Sequence, residues 1–216
     1  MIYCTMCIGS KWVSIFKDPI NRFAKNNELY VLTDIPEEFD NCNTVLYERD
    51  IFSYYDKLPF LFNINSTRKE RVTYVDANNI RNFNPNISVD DTSLYSGQLL
   101  DWKDMSMFRT DSTEKDVLKI LSSIGIEKLS DKYIREHIIS IPTSIFIDYI
   151  IEDLEQLQPL FEDYFNSIPK TPAMKRYTRN GIGYAEGFAL QAIAIKYSME
   201  IKKMEYKPKS SKINLI

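Results

Sequence analysis

The sequence places a carboxylate directly after a short apolar strand, an arrangement suited to holding a cation. The predicted strand is Arg71–Val75, and Asp76-Ala-Asn78 follows it at once. Asp76 and Asn78 lie two residues apart, so in an extended segment both side chains point the same way. Mg²⁺ and Mn²⁺ prefer oxygen ligands of this kind, commonly together with substrate phosphates. The alternative is that Asp76 only ends the strand and caps the following turn.

The segment Asn180–Gly187 combines glycines with a carboxylate, Glu186. It holds three of the six glycines of the chain, and four cations precede it: Lys170, Lys175, Arg176 and Arg179. A dinucleotide fingerprint is excluded because no strand precedes these glycines. The loop either closes over a diphosphate or only lets the last helix pack closely. Glu186 is placed to act as a general base on a hydroxyl, or it is favoured there by the helix macrodipole alone.

For two other groups of side chains we favour a structural role over a functional one. Asp101, Trp102 and Asp104 follow a short strand. They would stack on and hydrogen-bond a sugar ring, but a buried Trp beside two turn acids is commoner. Cys4 and Cys7 have a C-x-x-C spacing inside a strand, where a zinc site lacks nearby ligands and a redox site lacks its helix. We therefore expect buried cysteines with no metal or redox role.

The elements around Asp76 indicate an α/β fold. Apolar runs predict strands at 3–8, 29–33, 44–47 and 71–75, and helical spacing predicts helices at 12–23 and 53–65. Pro19 is expected to interrupt or restart the first helix. This order of strands and helices favours a mostly parallel sheet. Ligands gather beyond the carboxyl ends of such strands, which here are Gly9-Ser10, Asp34 and Asp76.

The remainder of the chain predicts a largely helical C-terminal part. The expected elements are a strand at 96–101, a helix at 114–124, a strand at 138–141, a helix at 147–166 kinked at Pro159, and a helix at 184–204. Residues 207–216 have the composition of a solvated tail. No repeat or linker stands out, so we predict a single domain over residues 1–216.

The composition excludes several classes of protein. The chain has 216 residues, of which 44% are hydrophobic, and this is enough apolar mass to exclude disorder for most of it. Its 27 basic and 30 acidic residues give a net charge of −3, so no nucleic-acid partner is expected. Three cysteines, no signal-peptide pattern and no transmembrane segment favour a cytoplasmic location. The abundance of Lys, Asn and Ile is typical of an AT-rich genome, viral or bacterial.

Residues 1–80 resemble the nucleotide-binding half of a glycosyltransferase with the A-type fold. The resemblance rests on the ordered segments Cys7-Ile-Gly9-Ser10, Leu32-Thr-Asp34, Phe52–Leu61 with its Lys57, and Val72–Asn78. It implies a Rossmann-like core, with residues 81–206 forming the acceptor side and the C-terminal helices. The last segment is similar to the family's aspartate-any-aspartate motif, which holds a divalent ion on the sugar-nucleotide diphosphate.

The same resemblance implies roles for individual residues. Ile8, Gly9 and Asp34 would contact the base and ribose, and Lys57 the nucleotide or its diphosphate. Asp76 and Asn78 would hold Mn²⁺ or Mg²⁺, and His137 is a further candidate ligand because a late histidine completes the metal site in several such enzymes. The alternative for His137 is an ordinary strand-end histidine. Asn78 departs from the motif, because an amide carries no charge and should bind a metal ion more weakly than a carboxylate. Either other groups help to hold the metal, or the protein uses no metal, or it has lost its activity.

The expected function is transfer of a sugar from a nucleotide-diphosphate sugar to a hydroxyl on a glycan, lipid or protein acceptor. Two alternatives stay open at this point. One is a non-catalytic binding or assembly protein that keeps the fold, which the Asn78 departure favours. The other is a sugar nucleotidyltransferase, which usually has a long glycine-rich basic loop where this chain has only Gly9-Ser10-Lys11.

Overall fold

The computed structural model describes residues 1–50, 52–101, 111–130, 132–167 and 185–205. The strands are β1 (Ile2–Met6), β2 (Leu29–Thr33), β3 (Asn43–Leu46), β4 (Val72–Val75), β5 (Leu94–Asp101), β6 (Lys132–Ile141) and β7 (Ile201–Lys203). The α-helices are α1 (Ser10–Ala24), α2 (Lys57–Arg68), α3 (Ala77–Ile80), α4 (Asp111–Leu121), α5 (Ile147–Ser167) and α6 (Ala185–Lys196). Among these residues, no helix has the length and apolar character needed to cross a membrane.

The described strands form one sheet in the order β3-β2-β1-β4-β6-β5-β7. The pairs β1–β2, β1–β4, β2–β3 and β5–β7 are parallel, whereas β6 runs antiparallel to both β4 and β5. Helices α1 and α2 connect parallel strands of the first half, as βαβ crossovers require. The predicted fold class, an α/β Rossmann-like core with a mostly parallel sheet, is confirmed.

Side chains of the central strands alternate between two hydrophobic clusters, one on each face of the sheet. Ile2, Cys4 and Met6 belong to one cluster, and Tyr3 and Cys7 to the other. Covering both faces explains why β1 is a continuous apolar run instead of an alternating one. Both cysteines are buried and free, and burial raises the pKa of the Cys7 thiol to about 12.

Three predicted elements differ from the structure. The last helix was expected to reach Met204, but it ends at Lys196, Ser198 adopts a positive φ of 54°, and the chain turns into β7. There the Leu94 amide donates to the Glu200 carbonyl, so strand pairing replaces the helix. Strand β6 is ten residues long, because pairing with β4 and β5 extends it far beyond the apolar run 138–141. Helix α1 continues through Pro19 without a restart.

Helix α6 packs directly on β6 at Gly187. A Cβ built on this glycine would overlap the ring of Tyr133 and the carbonyl oxygen of Ile134. Tyr133 in turn packs edge-on against Phe188, with ring centroids 5.2 Å apart. Close packing of the last helix is thus one reason for a glycine at this end of Asn180–Gly187; Asn180–Tyr184 and the four preceding cations lie outside the described residues.

Replacing Gly187 by Ala is expected to lower the free energy of unfolding by about 2 kcal/mol, since the added methyl overpacks a contact made partly by backbone. Urea denaturation measures the loss. Gly125→Ala is the control, because that glycine has open space around its α-carbon and only its φ of 84° opposes a side chain, so about 1 kcal/mol is expected. Equal losses for the two variants would contradict the close approach of α6 to β6.

Candidate functional site

The antiparallel pairing of β4 with β6 brings Asp76 and His137 together. Val75 pairs with Ile138, and one residue further the Asp76 amide donates to the His137 carbonyl at 2.9 Å. Directly opposed residues of an antiparallel pair carry their side chains on the same face. His137 Nδ1 consequently lies 2.5 Å from Asp76 Oδ2. The two residues are 61 positions apart in sequence, yet they form one hydrogen-bonded pair at the carboxyl end of β4.

Lys57 lies behind this pair, at the first position of α2. Its ammonium Nζ is 3.2 Å from Glu186 Oε1 and 4.0 Å from Asp76 Oδ1. The rings of Tyr54 and Tyr74 flank the same nitrogen, with centroids 5.6 and 5.4 Å away. Only 2% of the Lys57 side chain is exposed. A buried ammonium needs a compensating carboxylate, so Lys57 is fixed between two of them.

Glu186 is the deeply buried member of this group. It stands in the first turn of α6, and 1% of its side chain is exposed. It is the nearer of the two carboxylates to the Lys57 ammonium, at 3.2 Å against 4.0 Å for Asp76. The sequence predicted that Glu186 acts as a general base. A general base must lie within hydrogen-bond distance of the substrate proton that it removes. The structure instead places it against Lys57, on the side away from solvent.

Asp76 is the partly exposed carboxylate, with 20% of its side chain in contact with solvent. Burial of its carboxyl group raises its pKa, but the Lys57 charge, the His137 hydrogen bond and charge, and a hydrogen bond from Tyr74 together lower the pKa below its ordinary value. The carboxylate is therefore ionised at neutral pH. Tyr74 was not predicted from the sequence; its position two residues before Asp76 on an apolar strand gave no distinguishing signal.

Because the pKa of Asp76 is lowered in the folded protein, the free energy of unfolding depends on pH in the acidic range. A carboxyl group whose pKa is lower in the folded state stabilises the fold above its unfolded pKa, and this contribution disappears as pH falls through the folded pKa. We expect the free energy of unfolding to fall between roughly pH 5 and pH 2, and to fall less in Asp76→Asn. Urea titrations across this range measure both slopes. The control is Asp18→Asn, at an exposed site. If the unfolding free energy changed with pH equally in the unmodified protein, in Asp76→Asn and in Asp18→Asn, the charge interactions described for Asp76 would be contradicted.

The ends of β1 and β2 form a second part of the site. The Gly9 amide donates to Asp34 Oδ1 at 2.8 Å, and Gly9 has a φ of 90° that favours glycine. Ile8 and Gly9 are half-buried and Asp34 is exposed. The structure thus joins two of the predicted donor-site residues at the same carboxyl edge of the sheet as Asp76, because β1 lies between β2 and β4.

A cleft of about 560 Å³ lies beside His137, and Asp76 is not among its described lining residues. Its described lining contains His137 and the exposed Asn78, together with five further polar or glycine residues and one apolar residue: Asn79, Gly97, Gln98, Arg135, Lys203 and Ile138. Arg135 and Lys203 were not singled out from the sequence. Arg135 had a signal, since it lies two residues before His137 and shares its face of an extended strand. Asp101 ends β5, whereas Trp102 and Asp104 lie outside the described residues.

The oxygen and nitrogen ligands that Asp76, Asn78 and His137 offer fit Mn²⁺ or Mg²⁺ if a substrate supplies the remaining ligands. One carboxylate, one imidazole and one amide are present, and Asp76 and His137 are in direct contact. Among the described residues, no group of three His, Cys, Asp or Glu side chains could hold a metal alone. Mg²⁺ sites of enzymes commonly use one or two carboxylates plus substrate phosphates, so this set suffices only together with a phosphorylated ligand.

Comparisons with known proteins give similarity in structure alone. No family model matches the sequence, and no curated protein matches it. Among solved structures, the chain is similar to the crystal structure of the glycosyltransferase GlyE of Streptococcus pneumoniae TIGR4, with 11% sequence identity and a TM-score of 0.45. The likeness covers 94% of this chain and 45% of that one, so the chain spans less than half the length of GlyE. Values this low carry no information about function.

Proposed function

We propose that this protein is a glycosyltransferase that moves a sugar from a nucleotide-diphosphate sugar to a hydroxyl acceptor. The observation that carries the proposal is the group formed by Lys57, Asp76, His137 and Glu186 at the carboxyl edge of the sheet. It combines an ionised carboxylate at 20% exposure with a buried cation at 2% and an imidazole at 39%. A leaving diphosphate needs positive charge where its bond to the sugar breaks, and this group would supply it by holding a divalent cation on the partly exposed Asp76 carboxylate.

The donor nucleotide would lie over the ends of β1 and β2. Asp34 accepts one hydrogen bond from the Gly9 amide, which fixes the carboxylate, and its exposed oxygens are suited to accept from ribose hydroxyls. The half-buried Ile8 offers apolar surface to a base. This placement puts the diphosphate of the donor towards β4, the next strand after β1, and therefore towards Asp76.

Asp76 and His137, with Asn78 beside them, would hold Mn²⁺ or Mg²⁺. When bound, such a cation neutralises charge on the departing diphosphate. Asp76 supplies the negative charge, and His137 holds the Asp76 carboxylate through its Nδ1 contact. Asn78 contributes a neutral amide oxygen, which fits a site that gains strength from substrate phosphates.

Lys57 and Glu186 serve this site as positioning residues. Lys57 is too deeply buried to reach a nucleotide at the surface, but its ammonium fixes Asp76 from behind. Glu186 balances the Lys57 charge, so that Asp76 is not drawn into a tight ion pair with the lysine: the lysine is 3.2 Å from Glu186 and 4.0 Å from Asp76. The Asp76 carboxylate thereby keeps its negative charge available at the surface.

Thermal unfolding with UDP, GDP, CDP and their sugar conjugates, each with and without Mn²⁺, tests the proposal. A ligand that binds only the folded state raises its stability by mass action. We expect a Mn²⁺-dependent rise in Tm with one nucleotide, lost in Asp76→Asn and in Asp34→Asn but kept in Asp18→Asn. Absence of any rise at millimolar concentrations would contradict the proposal and favour a non-catalytic binding protein on the same fold.

A further inference from the structure

The cleft beside His137 has a charge opposite to that of the whole protein. The chain has 30 acidic and 27 basic residues. None of the described residues that line the cleft is acidic, and two of them, Arg135 and Lys203, are cations. Three amide side chains complete its polar surface: Asn78, Asn79 and Gln98. A concave surface with cations and hydrogen-bond donors, and with no carboxylate in its described lining, is suited to an anion.

Strand pairing places the backbone of Arg135 and Lys203 beside the cleft. Strand β5 has an irregular register between Ser96 and Gln98, and β-bulges of this kind re-aim side chains beside functional sites. The Ser96 hydroxyl oxygen lies at the irregularity, 2.7 Å from the Gln98 carbonyl oxygen and 2.9 Å from that of Arg135, and it donates its single hydrogen to one of them. Arg135 Nη1 donates to Gln98 Oε1 at 3.1 Å, which orients the guanidinium across the two strands.

Lys203 comes to the same place from β7. Ser96 pairs with Lys203 in the parallel β5–β7 ladder, and the Met204 amide donates to the Ser96 carbonyl at 2.7 Å. Lys202, the neighbouring residue, has its side chain on the other face of the strand and binds Asp90 at 2.8 Å. One lysine of β7 thus serves an ion pair, while the next one lines the cleft.

In the sheet, the cleft and the strand ends proposed for the donor nucleotide lie on opposite sides of β4. In the sheet order β3-β2-β1-β4-β6-β5-β7, the ends of β1 and β2 lie on one side of β4. The strands β6, β5 and β7, which carry Arg135, Gln98 and Lys203, lie on the other side. An acceptor entering from the side of β5–β7 meets His137 and Asp76 opposite the donor.

We propose that this cleft binds an anionic group, a phosphate or a carboxylate, carried by the acceptor sugar. The assignment to the acceptor rests on the proposed glycosyltransferase function; the anion site itself rests on the cleft. Arg135 binds the anion through its planar guanidinium, Lys203 adds a second positive charge, and the amides bind neighbouring hydroxyls.

Titrations of the full chain followed by ¹H–¹⁵N NMR, with glucose 6-phosphate, glucuronate and glucose as probes, test this proposal. The two anionic sugars are expected to bind at least about tenfold more tightly than glucose, and to shift the Gly97 amide. Whichever of the two binds more tightly identifies phosphate or carboxylate as the group recognised. Raised salt is expected to weaken anion binding and to leave glucose unaffected.

Arg135→Met and Lys203→Met are each expected to weaken anion binding about tenfold, and Lys202→Met, the matched control on the same strand, to leave it unchanged. Equal binding of glucose and the anionic sugars, or equal loss in all three variants, would overturn the proposal. If the two cleft variants instead weaken the binding of UDP, GDP or CDP, the cleft binds the diphosphate of the donor and the acceptor assignment is wrong. Anionic sugars bound by a chain that binds none of these nucleotides would support the anion site while contradicting the glycosyltransferase function.

Discussion

Replacing Asp76 by Asn is expected to lower kcat/KM for sugar transfer by at least about 100-fold, because the variant would weaken binding of the divalent cation that neutralises the leaving diphosphate, and such charge stabilisation is usually the largest single contribution to catalysis. Asparagine keeps the size of the side chain and loses only its charge. Asp76 lies within 2.5 Å of His137 and 4.0 Å of Lys57. The variant therefore removes the ionised group that the Lys57 ammonium and the His137 imidazole both face at the end of β4.

Transfer and hydrolysis of the nucleotide sugar that raises Tm are the two activities to measure. The variant is expected to fold, since Lys57 keeps Glu186 as its counter-charge at 3.2 Å. Far-ultraviolet circular dichroism checks this directly. Asp18→Asn, which removes the same charge from the exposed face of α1, is the control and should leave kcat/KM unchanged. Undiminished activity in Asp76→Asn would show that the reaction does not use this end of β4.

Replacing Lys57 by Met is expected to lower the free energy of unfolding by about 3 kcal/mol or more, because removing one partner of a buried ion pair leaves the other charge uncompensated. Met has a similar length and keeps the apolar part of the side chain. The carboxylate left behind is Glu186, of which only 1% is exposed. Urea denaturation at pH 7 measures the loss.

The double variant Lys57→Met/Glu186→Gln distinguishes this ion pair from simple packing. Removing both charges should recover a large part of the loss, since the buried pair and its neutral replacement differ much less than the pair and a lone buried charge. Lys17→Met gives the surface comparison. Lys17 lies 2.6 Å from Glu38 with both side chains 40% exposed, so a loss of at most about 1 kcal/mol is expected. A loss in Lys57→Met no larger than that in Lys17→Met would contradict the buried pair.

The local sequence determined most of the first half of the fold. Strand β2 has the predicted bounds 29–33, and β1 and β4 lie within one or two residues of theirs, because strands buried on both faces leave continuous apolar runs. Gly9 and Asp34 follow β1 and β2 as predicted, and Lys57 lies within the predicted helix 53–65, at the first position of α2. These features depend on residues close together in the chain, for which periodicity and turn chemistry are sufficient.

Only the tertiary structure decided how the distant residues combine. The antiparallel entry of β6 beside β4 set His137 against Asp76, and the packing of α6 on β6 at Gly187 set Glu186 against Lys57. Strand β7, expected as helix, was formed by pairing with β5 and carries Lys203 to the cleft. The physical reason is common to all of them: a strand's direction and partner are fixed by hydrogen bonds and side-chain contacts to other parts of the chain. The sequence thus determined the carboxylate and its strand, and the fold brought the Lys57 ammonium and the His137 imidazole next to it.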